Sequence, residues 1–395
     1  MSEQTTHKLH YIAPATTSFE QAVAITVEKG YTAPVLLQRR GYQVAWVATD
    51  NTPIEPVSIS IEDAKTTWQN QDALYIPNYI INELAGFQEE IKHSHSLYSK
   101  ILEGEPCDEL LDAPYYSERL LPTYEMLTAT ENEADPQEIV TLEFDTLEND
   151  ELIAENLWVK LSWLSFIEED PSFRFRFSFG IVGYEDVAED FNRQQHAGKL
   201  AEAIFPESAL ISQNTKLMKL LQSLLDINQP AYVERIVYFN APKGGAQLHQ
   251  DVESGHLGVV YAQLSGETAW ITLAKENLVK EIISFFSNDT KLANLNNEIK
   301  PEYIQFLKEL IKTPAELGCY LDEQENDPLE IFINQSTSFT QQLLDQGYGY
   351  RLSPGDIILL PQKSVDNCNW HCVYCISDSE GEALSFAIRS APSQT

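Results

Sequence analysis

Basic residues are scarce in this chain of 395: Lys and Arg number 26 against 60 Asp and Glu, for a formal net charge of -34. A field of that sign repels phosphate backbones and anionic membrane surfaces, so neither nucleic acid nor a membrane is the expected partner. Long apolar runs are missing too, and without a stretch of eighteen such residues no transmembrane helix is expected. The opening "MSEQTTHKLHYIAPATTSFE" lacks the apolar core of a secretory signal. Cysteine is sparse and odd in number: Cys107, Cys319, Cys368, Cys372 and Cys375 do not form a secreted disulfide framework. A cytoplasmic protein is therefore expected. The chain also has no G-x-S-x-G elbow, H-E-x-x-H helix or dinucleotide-binding glycine fingerprint, which weighs against hydrolase, zinc-protease and dehydrogenase chemistry.

What is present suffices for a large core, since 43% of the residues are hydrophobic. Residues 19–29 read as a helix, "APVLLQRRGYQVAWVAT" as two short strands about a basic turn, and 72–103 as mostly helical. The acid-rich "ATENEADPQE" (129–138) is the best linker candidate, which suggests an N-terminal α+β domain over 1–135 and a second domain over 150–395. "LWVKLSWLSF" and "FRFRFSFG" alternate about an "EEDPS" turn and read as a hairpin. Its Phe face belongs to the core. Arg174 and Arg176 read as a solvated face, with an anionic ligand as the second reading. Helical stretches follow at 186–204 and 215–227, then the strand "AYVERIVYFN". After Leu273 the spacing turns helical until strands return at "GYRLSPGDIILLPQ". That order predicts a β-domain carrying a helical insertion over about 275–347.

The chemistry concentrates in "LHQDVESGHLGVVYAQLSGETAWITL", which opens with His249, one spacer and Asp251. Residues two apart on a strand share a face, so both can reach one ion. A third ligand must come from another strand, and "PGDIILLPQKSVDNCNWHCVY" offers His371. Two imidazoles and one carboxylate on one triangular face of an octahedron leave three positions open, the geometry of non-haem Fe(II) oxygenases.

The series H-x-D, "AQLSGETAWITL", "PGDIILLP", "WHCV" and "LSFAIRSAPS" resembles the cupin-type oxygenases, especially their JmjC-like and ribosomal-oxygenase branch, over roughly residues 231–395. The resemblance implies a double-stranded β-helix (jelly-roll) barrel, Fe(II) held by His249, Asp251 and His371, 2-oxoglutarate as cosubstrate and O2 as oxidant. The implied reaction is oxidation of a C–H bond in a peptide, amino acid or small natural product. Where that branch carries a basic residue to bind the cosubstrate, "GETAW" has Thr268. Arg389 on "LSFAIRS" then becomes the expected anchor, because a guanidinium grips a carboxylate bidentately. Thr268, Tyr238 and Tyr261 are candidate hydroxyl partners. The N-terminal region and the inserted helices would frame the substrate pocket or a homodimer contact. The alternatives are an Fe(II) cupin oxygenase that works without 2-oxoglutarate and a non-catalytic metal-binding cupin scaffold.

Other clusters read more plainly. Cys368, Cys372 and Cys375 have iron–sulfur-like spacing, but on a strand the last differs in parity from the other two, so buried thiols are expected. His256 reads as a loop residue, and His93 and His95 as exposed.

Overall fold

The computed structural model describes residues 60–132, 135, 137–164, 170–180, 190–323 and 327–391, together with the backbones of β1 (Leu9–Ala13), β2 (Pro34–Arg39) and β3 (Tyr42–Ala48). The helix expected over 19–29 lies outside the described residues. The two strands expected around Arg39 are β2 and β3, which pair antiparallel in a small sheet of order β1-β3-β2.

The rest is α+β, built on a 13-stranded antiparallel sheet. Eight of its strands fill the C-terminal half: β9 (Pro230–Asn240), β10 (Gly245–His249), β11 (Gly258–Gln263), β12 (Thr268–Ala274), β13 (Gly349–Leu352), β14 (Ile357–Ser364), β15 (Asn367–Cys375) and β16 (Gly381–Ser390). They sort into two quartets, β9-β16-β11-β14 and β10-β15-β12-β13. Consecutive strands alternate between the two quartets except at β12 and β13, which share one, an order compatible with a jelly roll. The quartets join where the ends of β14 and β15 pair. β4 (Leu74–Ile76) adds to β14 within the stretch expected to be mostly helical. Beyond β9 the first quartet continues through β8 (Phe173–Phe179), β7 (Glu151–Trp163), β6 (Glu138–Glu148) and β5 (Tyr124–Thr130).

Period-two alternation assigns each face. On β8, Phe173, Phe175 and Phe177 are at most 1% exposed. They pack in one core with Leu384 and Phe386 of β16 and with Leu97 and Tyr98 of the helix Gln88–Leu102. Each fully buried Phe stabilises the fold by roughly 1.5–3 kcal/mol. That core draws on residues from Ala64 to Ile388, and the linker candidate 129–138 begins in β5 and ends in β6, two paired strands of one sheet. On β15, Cys368, Trp370, Cys372 and Tyr374 face a second core, formed with the six helices between Lys275 and Asp345 that separate β12 from β13. His371 and Val373 therefore face the other way. A third cluster of Val259, Tyr261, Trp270, Leu360 and Val373 fills the space between the quartets. No described helix is long and apolar enough to cross a membrane.

Candidate metal centre

His249 ends β10 and His371 sits in mid β15, and the two are cross-strand partners. Their rings lie 4.4 Å apart between centroids. Asp251 lies just past the end of β10, in the loop to β11, rather than on the strand itself. Its carboxylate still spans both rings: Oδ1 is 3.4 Å from His249 Nε2, and Oδ2 is 3.3 Å from His371 Nε2. One donor atom from each residue falls within 4.8 Å of the others. Donors about 2.1 Å from one ion on a triangular face of an octahedron stand about 3 Å apart, close to the 3.4 and 3.3 Å that separate the Asp251 oxygens from the two ring nitrogens.

The surroundings prepare these groups for a cation. His249 Nδ1 lies 2.6 Å from the Gln247 carbonyl, which takes its N–H and turns Nε2 toward Asp251 and His371. Burial alone would depress the His249 pKa, yet the Asp251 carboxylate outweighs it and holds the imidazole above its usual range. Burial and then the neighbouring His249 hold His371 below it, so that ring is neutral near pH 7. Burial would raise Asp251, but the two imidazoles pull it well below the usual carboxylate range. The result is one carboxylate and two convergent nitrogens, the donor set suited to Fe(II) with open positions.

Two neighbours hold the triad in place. Trp270 stacks on His371 at 5.6 Å and 19°, and its Nε1 donates to Thr268 Oγ1 at 2.9 Å. The turn before β10 needs glycine. A Cβ on Gly245, whose φ is +149°, would sit 2.0 Å from the Val373 carbonyl, and one on Gly244 would sit 2.1 Å from Asp170 Oδ1. These glycines let β10 close against β15 and set the two histidines opposite each other. Asp170 accepts from the Gly245 N–H, and Ser172 Oγ accepts from the Ala241 N–H, which clamps that turn to the start of β8.

The triad opens into a cavity of about 620 Å³, a size that suits a small molecule or a side chain. His249 and Asp251 are half-exposed to this space, while His371 is sealed at its back. Of the expected cosubstrate contacts, Tyr238 and Tyr261 line the cavity, and the Tyr261 hydroxyl donates to Gln263 Oε1. Thr268 is fully buried off the wall, donating to Gln263 Oε1 and accepting from Trp270. Arg389 also lies off the wall, buried beside Gly255, with its charge felt by His256 and Glu253.

His256 lies in the loop between β10 and β11 as expected, although it is only 4% exposed, and burial followed by the charge of Arg389 lowers its pKa to about 4. Two other expectations need correction. His95 is not exposed: Nδ1 meets Glu380 at 2.6 Å and Nε2 meets Ser265 Oγ at 2.7 Å. The face of Arg174 and Arg176 is not a solvated one. Arg176 pairs with Glu234 and Glu253, and Arg174 lines the cavity. Strand alternation placed Arg174 away from the Phe core, but only the pairing of β8 with β9 shows what it faces.

No protein-family model matches the chain, and no curated protein matches it in sequence. Among solved structures, it is similar to an oxidoreductase of the 2OG-Fe(II) oxygenase family from Burkholderia pseudomallei, with 8% identity over 85% of this chain and 93% of that one, at a TM-score of 0.29. It is also similar to ycfD from E. coli, with 11% identity over 98% of this chain and 56% of that one, at a TM-score of 0.22. Both scores are too low to carry weight beside the site's own geometry.

Proposed function

We propose that this protein is a non-haem Fe(II) oxygenase that consumes 2-oxoglutarate and O2 and oxidises a C–H bond of a peptide, amino acid or small natural product. The observation that carries this reading is the meeting of His249, Asp251 and His371 at the wall of a cavity of about 620 Å³ between two four-stranded sheets. His249 and His371 would each give Nε2 to the ion and Asp251 one oxygen, leaving the cavity side for the reactants. Bound there, Fe(II) supplies the redox chemistry with O2 that is coupled to oxidative decarboxylation of the 2-oxo acid to succinate and CO2.

The residues around the triad position the reactants and keep water out. Val259, Leu360 and Val373 give the inner end an apolar lining, and Trp270 holds the plane of His371. Tyr238 and Tyr261 offer hydroxyls on the wall. Burial pushes both phenols above their usual range, so they act as neutral hydrogen-bonding groups. The test is succinate release from the purified chain supplied with Fe(II), ascorbate and 2-oxoglutarate. Slow release is expected without any added substrate, and none from Asp251→Ala. An iron-loaded chain that forms no succinate would remove 2-oxoglutarate from the reading.

A further inference from the structure

We infer that Arg174, on a strand outside the eight of the barrel, grips the far carboxylate of a 2-oxo dicarboxylic acid bound in the cavity of the triad, an inference that rests on the oxygenase reading above. Arg174 stands between Ser162 of β7 and Tyr238 of β9 in register. Tyr238 also lines the cavity, so the pairing of β8 with β9 puts the guanidinium on that wall. Among the described residues it is the one arginine there.

Its Nε makes a long hydrogen bond to Ser162 Oγ, 3.4 Å, and its guanidinium also bonds the Tyr238 phenol, but no carboxylate of the described residues forms an ion pair with it. Arg176, two residues on, is taken by Glu234 and Glu253. The positive charge of Arg174 is felt at the Tyr238 phenol and at the His249 ring.

Charge then selects the ligand. A divalent ion with one carboxylate ligand keeps one positive charge, and Arg174 adds a second. Asp170 also carries a charge on the wall but directs its oxygens to Ser172 and the Gly245 N–H, while Glu330 and Lys243, of opposite sign, are exposed at the rim. A dianion that chelates the ion at one end and meets a planar guanidinium at the other satisfies both charges.

The experiment is calorimetric titration of the Mn(II)-loaded full chain with 2-oxoglutarate and with 2-oxopentanoate, which has a methyl group in place of the far carboxylate. The wild type is expected to prefer 2-oxoglutarate by about 10- to 100-fold, the worth of a charge-assisted hydrogen-bonded pair. Arg174→Gln is expected to bring that ratio near unity with Mn(II) uptake and 2-oxopentanoate affinity unchanged, and Arg174→Lys to retain part of it. Arg389→Gln is expected to keep the wild-type ratio. A preference that survives in Arg174→Gln, or is lost only in Arg389→Gln, overturns the assignment and leaves the oxygenase reading standing. A Mn(II)-loaded wild type that binds neither acid defeats both.

Discussion

Two carboxylate sites of this molecule follow opposite rules. At the triad, two imidazoles surround Asp251 and hold its carboxyl well below the usual range. At the start of β16, Glu207 and Glu382 share a sealed niche, both 0% exposed. Burial and then the neighbouring acid push Glu382 well above that range, and Ser94 Oγ donates to it at 2.6 Å. Burial likewise raises Glu207. The first site holds charge at the wall of a cavity and is built for a cation. The second holds protons in the dark and is built for packing. A carboxylate by itself therefore says little about function; access and the sign of its neighbours decide it.

The sharpest way to break this contrast is to remove a donor. His371→Ala should lower Mn(II) affinity by more than about 100-fold, beyond the usual cost of losing a supporting partner, with the far-ultraviolet spectrum unchanged. Glu382→Gln should leave that affinity as it is. Equal losses in the two variants would erase the distinction. Gly245→Val comes next, because its first side-chain carbon would sit 2.0 Å from the Val373 carbonyl. Roughly 2 kcal/mol of stability in urea unfolding and about tenfold in Mn(II) affinity should go with it.

The sealed pair makes a prediction about pH. Glu207 and Glu382 keep protons in the folded chain that the unfolded chain releases above its ordinary value of 4.5. Their contribution is complete below that pH and is lost as pH rises through the folded-state values. Unfolding measured from pH 5 to 8 should show wild-type stability declining relative to Glu382→Gln, with a difference on the order of 1 kcal/mol. A variant that tracks the wild type across that window would mean that the niche does not hold protons. The smallest effect is expected of Thr268→Val, which takes the acceptor from Trp270 Nε1. About 1 kcal/mol of stability should be lost and Mn(II) affinity should change only a few-fold, by the same two measurements.

What the chain reveals on reading depends on how local the signal is. Alternation on β8 and β15 tells which residues share a face, so the Phe core and the inward turn of His371 are legible from "FRFRFSF" and "NCNWHCVYC". Helical spacing between Lys275 and Asp345 is equally local. Alternation does not name the neighbouring strand. Arg174 therefore reads as solvated until β9 is seen beside it, and His95 reads as exposed until Glu380 and Ser265 arrive from far along the chain. Leu74–Ile76 is a strand only because β14 offers an edge, and the acid-rich stretch 129–138 reads as a tether although its two ends lie on the paired strands β5 and β6. Asp251 reaches its place from a loop, where the period-two rule that suggested it no longer applies.

The most direct measurement is a crystal of the full chain soaked in Mn(II), with data collected for anomalous scattering. One peak is expected about 2.0–2.2 Å from the Nε2 atoms of His249 and His371 and from a carboxylate oxygen of Asp251, with its remaining positions facing the cavity. A soaked crystal with no peak there, or with manganese only among surface carboxylates, would contradict the metal centre and the chemistry built on it.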